Sequence, residues 1–97
     1  MEQQNVLSAL AALAQETRLD VYRLLVRSGA QGLAAGAIGN ALGVPAATLS
    51  FHLKELKSAG VIACRRQGRS LVYSADFAAM NALLAYLGEN CCQAAGE

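Results

Sequence analysis

The chain has 97 residues, a formal net charge of +1 and a hydrophobic content of 55%. That length accommodates one domain rather than two, and a domain this small is marginal on its core alone. The apolar content exceeds what one such core needs, which assigns the surplus to a subunit interface, while the lack of an 18-residue apolar stretch excludes a transmembrane helix and a membrane partner. The start, Met1-Glu2-Gln3-Gln4, lacks the basic region of a signal peptide. The expected compartment is therefore the cytoplasm, where thiols stay reduced. Three cysteines there point to metal binding or redox sensing rather than to disulfides.

Residues 4–14 place Val6, Leu7, Leu10, Leu13 and Ala14 at helical spacing. A second helix is expected over 16–27, with Leu19, Tyr22, Leu25 and Val26 as its apolar stripe and Ser28-Gly29 as its stop. Residues 33–42 read as a short third helix carrying Leu33, Ile38 and Leu42, closed by Gly43. Val44 and Pro45 open a fourth helix, since proline suits a first helical turn, and Gly60 ends it after Ala59. The period then changes to two. Residues 61–66 and 70–74 form a hairpin about the Gln67-Gly68-Arg69 turn. Asp76 caps a last helix over 77–90, with Met80, Leu83, Leu84 and Leu87 on one face. Four helices, a hairpin and a final helix make one mainly α domain. It is a winged helix-turn-helix, with the helix-turn-helix at about 33–59 and the wing at about 61–75.

The charge distribution supports this reading better than the total does. Residues 46–75 hold Lys54, Lys57, Arg65, Arg66 and Arg69 against Glu55 alone, a local charge of +4. DNA responds to such a patch rather than to the whole-chain sum. On a helical wheel Leu53 and Leu56 fall within about 40° of Leu49 and mark the buried stripe. Ala47, Phe51, Lys54 and Ser58 lie near the opposite side, with Thr48 and Ser50 on the flanks. Small and hydroxyl residues near a helix N-terminus suit entry into a major groove. Thr and Phe surfaces can meet a thymine methyl, while Lys54 and Lys57 reach phosphates. His52, beside the stripe, reads either as a half-buried structural histidine or as a DNA contact. Arg65, Arg66 and Arg69 would lie along the phosphate backbone or place an arginine in the minor groove, phosphate contact being the favoured use. The alternative is a charged strand edge that blocks aggregation. No enzyme is expected from one histidine without a Ser-His-Asp order, a phosphate loop or a carboxylate pair.

Cys91 and Cys92 follow Asn90 at the end of the last helix. Soft thiolates bind trivalent arsenic, antimony, Cd, Hg, Cu(I) and Zn. An adjacent pair is poor for structural zinc, which takes four ligands at wider spacings. On a helix the two sulfurs stand about 100° apart, so both reach one centre only where the helix loosens. Cys64, on a strand face with Ile62, is either a buried core thiol or a third ligand. Oxidation or persulfidation of the same cysteines is the competing use.

Two segments carry a family resemblance: the run Leu13-Ala14-Gln15-Glu16-Thr17-Arg18-Leu19 through Leu24-Leu25, and the block Leu49-Ser50-Phe51-His52-Leu53 through Ala59-Gly60-Val61-Ile62. In this order they resemble the ArsR/SmtB winged-helix repressors over about residues 5–92. The resemblance implies a homodimer joined through the first and last helices, about 4–14 and 77–90. It implies repression through double-stranded operator DNA, read by the fourth helix and the wing, and release when a metal or metalloid binds. The cysteine box of the second or third helix is absent, as is the paired-His and carboxylate site of the zinc sensors. Glu89-Asn90-Cys91-Cys92 is similar to arsenic repressors with thiols at the end of the last helix, although a later third cysteine is missing. The implied inducer is arsenite, methylarsenite or antimonite, with no organic cofactor. Two thiols fit methylarsenite, which has two open positions. Inorganic As(III) would also need Cys64, a partner-subunit thiol or an exogenous ligand.

Overall fold

The computed structural model describes residues 1–91. Five helices are present: α1 (Gln3–Leu13), α2 (Glu16–Ser28), α3 (Ala35–Leu42), α4 (Ala46–Ser58) and α5 (Phe77–Leu87). The strands are β1 (Leu33–Ala34), β2 (Ile62–Gln67) and β3 (Ser70–Ala75), and a short 3-10 turn spans Gly29–Gln31. They form an antiparallel sheet in the order β1-β3-β2, so the wing hairpin is extended by the short strand that directly precedes α3. This is the winged helix-turn-helix architecture.

Helix ends follow local chemistry. The Gln15 side chain accepts from the Arg18 N–H at the start of α2, and the Asp76 carboxylate accepts from the Ala79 N–H, 3.0 Å away, at the start of α5. Gly43, at φ 67° and ψ 34°, occupies the left-handed cap that ends α3 and sets up the turn of the helix-turn-helix. Replacing Asp76 with alanine removes the α5 cap and is expected to cost about 1 kcal/mol. A thermal melt should record this as a drop of roughly 4–8 °C.

Four boundaries differ from the sequence expectation. Leu33 and Ala34 do not begin the third helix. They pair with Tyr73 and Val72 of β3, because Gly32 turns the chain and Ala34 stays extended as the α3 cap. A two-residue strand is too short to leave an alternating signature. Pro45 is not in the first turn of α4 but is its N-cap, with ψ 148° and a carbonyl that accepts from the Leu49 N–H. The strands reach Gln67 and Ala75, around a two-residue loop whose leading Gly68 has φ 64°, the glycine placement of a type II′ turn. Finally, α5 stops at Leu87 rather than 90. Gly88 caps it and donates to the Leu84 carbonyl, and Asn90 takes a positive φ of 60°.

Leu25, Ile38, Leu56 and Val21 are the largest fully buried side chains, so α2, α3 and α4 meet at one centre. Ile62 and Ala75 bring in the wing base, and Leu83 brings in α5. Tyr22 is buried here, and its phenol is held above the ordinary range by that burial first and by the nearby Asp76 charge second. Leu19 departs from its expected stripe and is exposed, whereas Val21 is buried in its place. On α1 the core side is made of Val6, Ala9 and Ala12, and the leucines turn outward: Leu7 is 50% and Leu10 39% exposed. On α5, which packs against α1, Leu83 points inward while Leu84 and Leu87 are 59% and 57% exposed. The apolar residues expected on one face of α5 therefore divide between two.

Candidate nucleic-acid interface and thiol site

The face of α4 opposite Leu49, Leu53 and Leu56 is open. Ala47, Thr48, Ser50, Phe51, Lys54 and Lys57 are all exposed along it, and Phe51 retains 55% of its surface. Such exposure of an aromatic ring is uncommon on an ordinary solvated helix face. Neither lysine has a hydrogen-bond or ion-pair partner among the described residues, so both charges are available to an anion.

His52 faces the other way and is buried to 8% exposure. Its Nδ1 accepts a 3.1 Å hydrogen bond from the Nε–H of Arg18 on α2. The same guanidinium lies over the Phe51 ring, 5.6 Å from its centroid, and the Phe51 and His52 rings meet edge to face at 5.7 Å. From the sequence Arg18 carries only part of the family resemblance and no place in the candidate site. It lies 34 positions from His52, and no local spacing signals their contact.

The three wing arginines do not behave alike. Arg65 pairs in register with the buried Val72 and reaches across β3 toward the 3-10 turn. There its guanidinium donates to the carbonyls of Gln31 at 2.7 Å and Ala30 at 3.4 Å. Arg65 thus ties the wing to the body. Arg66 and Arg69 are exposed and lack partners among the described residues, which leaves them as the free cations of the wing. Between α3, α4 and the wing runs an open cleft of about 370 Å³, lined by Gly36, Asn40, Ser50, Leu71 and Tyr73 among others and bearing no charged side chain.

Cys64 shares its sheet face with Ile62, pairs with Tyr73 and is half-buried. The Tyr73 phenol is raised above its ordinary range by burial, and by hydrogen bonding and charge from Cys64. Cys91 is exposed, and its N–H donates to the Gly88 carbonyl at 2.9 Å. It sits on a turn beyond α5 rather than on the helix, so the helical separation of adjacent sulfurs does not apply to it. Cys92 lies outside the described residues. Among the described residues, no three His, Cys, Asp or Glu side chains converge as a metal cage.

A three-stranded wing behind a helix-turn-helix, with an exposed and cationic second helix, defines a winged-helix nucleic-acid-binding module. Residues 13–65 match the family described as "Helix-turn-helix domain". The chain is 32% identical over 78 residues to the HTH-type transcriptional regulator YgaV of Escherichia coli K12, spanning 80% of this chain and 77% of that protein. It is 37% identical over 59 residues to the uncharacterized HTH-type transcriptional regulator YceK of Bacillus subtilis 168, spanning 61% of this chain and 58% of that relative. Among solved structures it resembles an ArsR-like transcriptional regulator from Rhodococcus sp. RHA1, with a TM-score of 0.77 and 27% identity over 87% of this chain and 76% of that one. It also resembles the homodimeric winged helix-turn-helix domain of a possible ArsR-family regulator from Mycobacterium bovis, with a TM-score of 0.70 and 30% identity over 91% and 86% of the two chains. A possible transcriptional regulator for arsenical resistance matches with a TM-score of 0.68 and 26% identity, over 86% of each chain. The chain belongs to the helix-turn-helix family of transcriptional regulators, and its likeness is to the ArsR type. No helix among the described residues is long and apolar enough to cross a membrane.

Proposed function

We propose that the protein is a homodimeric transcriptional repressor that grips operator DNA through α4 and the wing, and lets go when a trivalent arsenical bridges Cys91 and Cys92. The observation that carries the reading is the open face of α4. Thr48, Ser50 and Phe51 near its N-terminus stand where base edges and thymine methyls are read, and Lys54, Lys57, Arg66 and Arg69 flank them as phosphate contacts. Arg65 contributes by holding the wing in place rather than by touching DNA. The outward leucines of α1 and α5 form the dimer contact, in keeping with the homodimeric Mycobacterium bovis relative.

The inducer site follows from donor chemistry. Two neighbouring thiols match an arsenical with two exchangeable positions, so methylarsenite is bound by the pair alone. Arsenite is bound with a third thiol or a hydroxide. Cys91 is joined to the C-terminus of α5 by one turn, and α5 also carries Leu84 and Leu87. Drawing both sulfurs to one arsenic reshapes that turn and shifts α5 in the dimer, which changes the separation of the two α4 helices. Operator half-sites need that separation near about 34–36 Å or a multiple of it.

The test uses a duplex selected from a random pool by the protein itself, with binding followed by fluorescence anisotropy. Wild type should bind with strong salt dependence. Arsenite or methylarsenite should weaken binding by about 5- to 150-fold, the usual range of allosteric coupling. Cys91→Ser with Cys92→Ser should bind DNA normally and ignore both arsenicals. Cys64→Ser should still respond to methylarsenite. Unchanged affinity in wild type saturated with arsenical defeats the arsenic reading. Release by peroxide alone would assign the same thiols to redox sensing.

A further inference from the structure

Arg18 lies on α2, outside the face that meets DNA, yet it contacts both Phe51 and His52 of α4. Arg18 is half-buried and has no carboxylate partner among the described residues. A half-buried cation placed against an imidazole and an aromatic face instead constrains both rings. Because the Arg18 Nε–H points at His52 Nδ1, that nitrogen must carry a lone pair and the ring proton sits on Nε2. The His52 ring itself is buried, at 8% exposure. Its neighbour Phe51 stands over the same guanidinium, where a cation–π contact restricts its rotation.

We propose that Arg18 is a positioning residue for DNA recognition: anchored on the Nδ1 acceptor of the buried His52, which it fixes as the Nε2–H tautomer, its guanidinium holds the exposed Phe51 ring in one orientation on the open face of α4. The inference rests on the operator-binding reading above. A fixed Phe51 ring enters a groove already ordered, whereas a mobile one would have to be ordered on binding. Lysine cannot replace arginine here. Its ammonium can sit over Phe51, but it lacks the planar fork that stacks on one group while donating in-plane to another.

The experiment compares wild type with Arg18→Gln, Arg18→Lys, His52→Gln and the Arg18→Gln/His52→Gln double variant. The affinity ratio for the selected duplex over a scrambled one is measured, with thermal melts to confirm folding. Nitrogen-15 shifts of the His52 ring are recorded in mildly alkaline buffer. Both Arg18 variants should lose about tenfold of the ratio, the usual consequence of losing one base contact. Their salt dependence should not change, and His52→Gln should add little in the Arg18→Gln background. The wild-type ring should show an acceptor-type Nδ1 and a protonated Nε2, and the Arg18→Gln ring a tautomer mixture. A full ratio in Arg18→Gln, rescue by lysine, or a mixed tautomer in wild type would overturn the proposal. A wild type that discriminates no duplex would overturn the operator reading and this proposal with it, and wild-type discrimination kept in Arg18→Gln overturns this proposal alone. If Arg18→Gln does not fold, Arg18→Lys and the wild-type ring spectrum decide.

Discussion

Replacing Leu84 and Leu87 together with aspartate is expected to turn the proposed dimer into a monomer and to cut affinity for the proposed operator by at least about a hundredfold. The loss arises because two joined recognition helices engage one operator with an avidity of roughly 10²–10⁴ over a single one. Each of these leucines is more than half exposed on the protomer, so the substitution leaves the protomer core unchanged. In a dimer, burying the part of each leucine still exposed contributes about 1–2 kcal/mol. An aspartate at the same place would instead have to lose its hydration without a partner. Sedimentation equilibrium reads the assembly, anisotropy reads the affinity, and far-UV circular dichroism checks that the fold is kept. Binding to an isolated half-site should be nearly unchanged. A double variant that remains dimeric would remove α5 from the interface.

Gly32→Ala should be among the most damaging single-methyl changes in the chain. Gly32 sits at φ 72° and ψ −168°, a region nearly closed to other residues, and an added Cβ would collide with the Tyr73 carbonyl oxygen. The conformational penalty is about 1–3 kcal/mol. The collision adds to it, because the obstacle is backbone already paired with Leu33 rather than a side chain that can swing away. We expect a total of at least about 3 kcal/mol by urea denaturation, with amide exchange of Leu33 and Ala34 rising before the rest. Gly36→Ala is the contrasting change. It lies in α3, its Cβ meets nothing within 4 Å, and alanine there should stabilise by about 0.5–1 kcal/mol. A neutral Gly32→Ala would show that β1 is not needed to hold the wing.

How far the sequence could be read depended on the range of the interaction. Leu49, Leu53 and Leu56 were recognisable as the buried side of α4 because they repeat within one helix. The open side, with Phe51 and Lys54, followed from the same wheel. His52 stayed ambiguous because its neighbours in the chain say nothing of Arg18, whose Nε–H donates to the buried ring. Arg65, Arg66 and Arg69 formed one basic group in the sequence. Only the pairing of β3 with β1 brings the Gln31 carbonyl within reach of Arg65 and separates it from the other two.

The sequence by itself determined the helices, the glycine stops of α2, α3 and α4, the hairpin and the cationic stretch, since each depends on residues a few positions apart and on backbone preferences that act locally. The tertiary structure alone decided which leucines of α1 and α5 face outward, that Leu33 and Ala34 join the sheet, and that Arg18 contacts two rings on α4. Those outcomes depend on which surfaces meet when the helices pack, and residues brought together by packing carry no mark of it in their spacing along the chain.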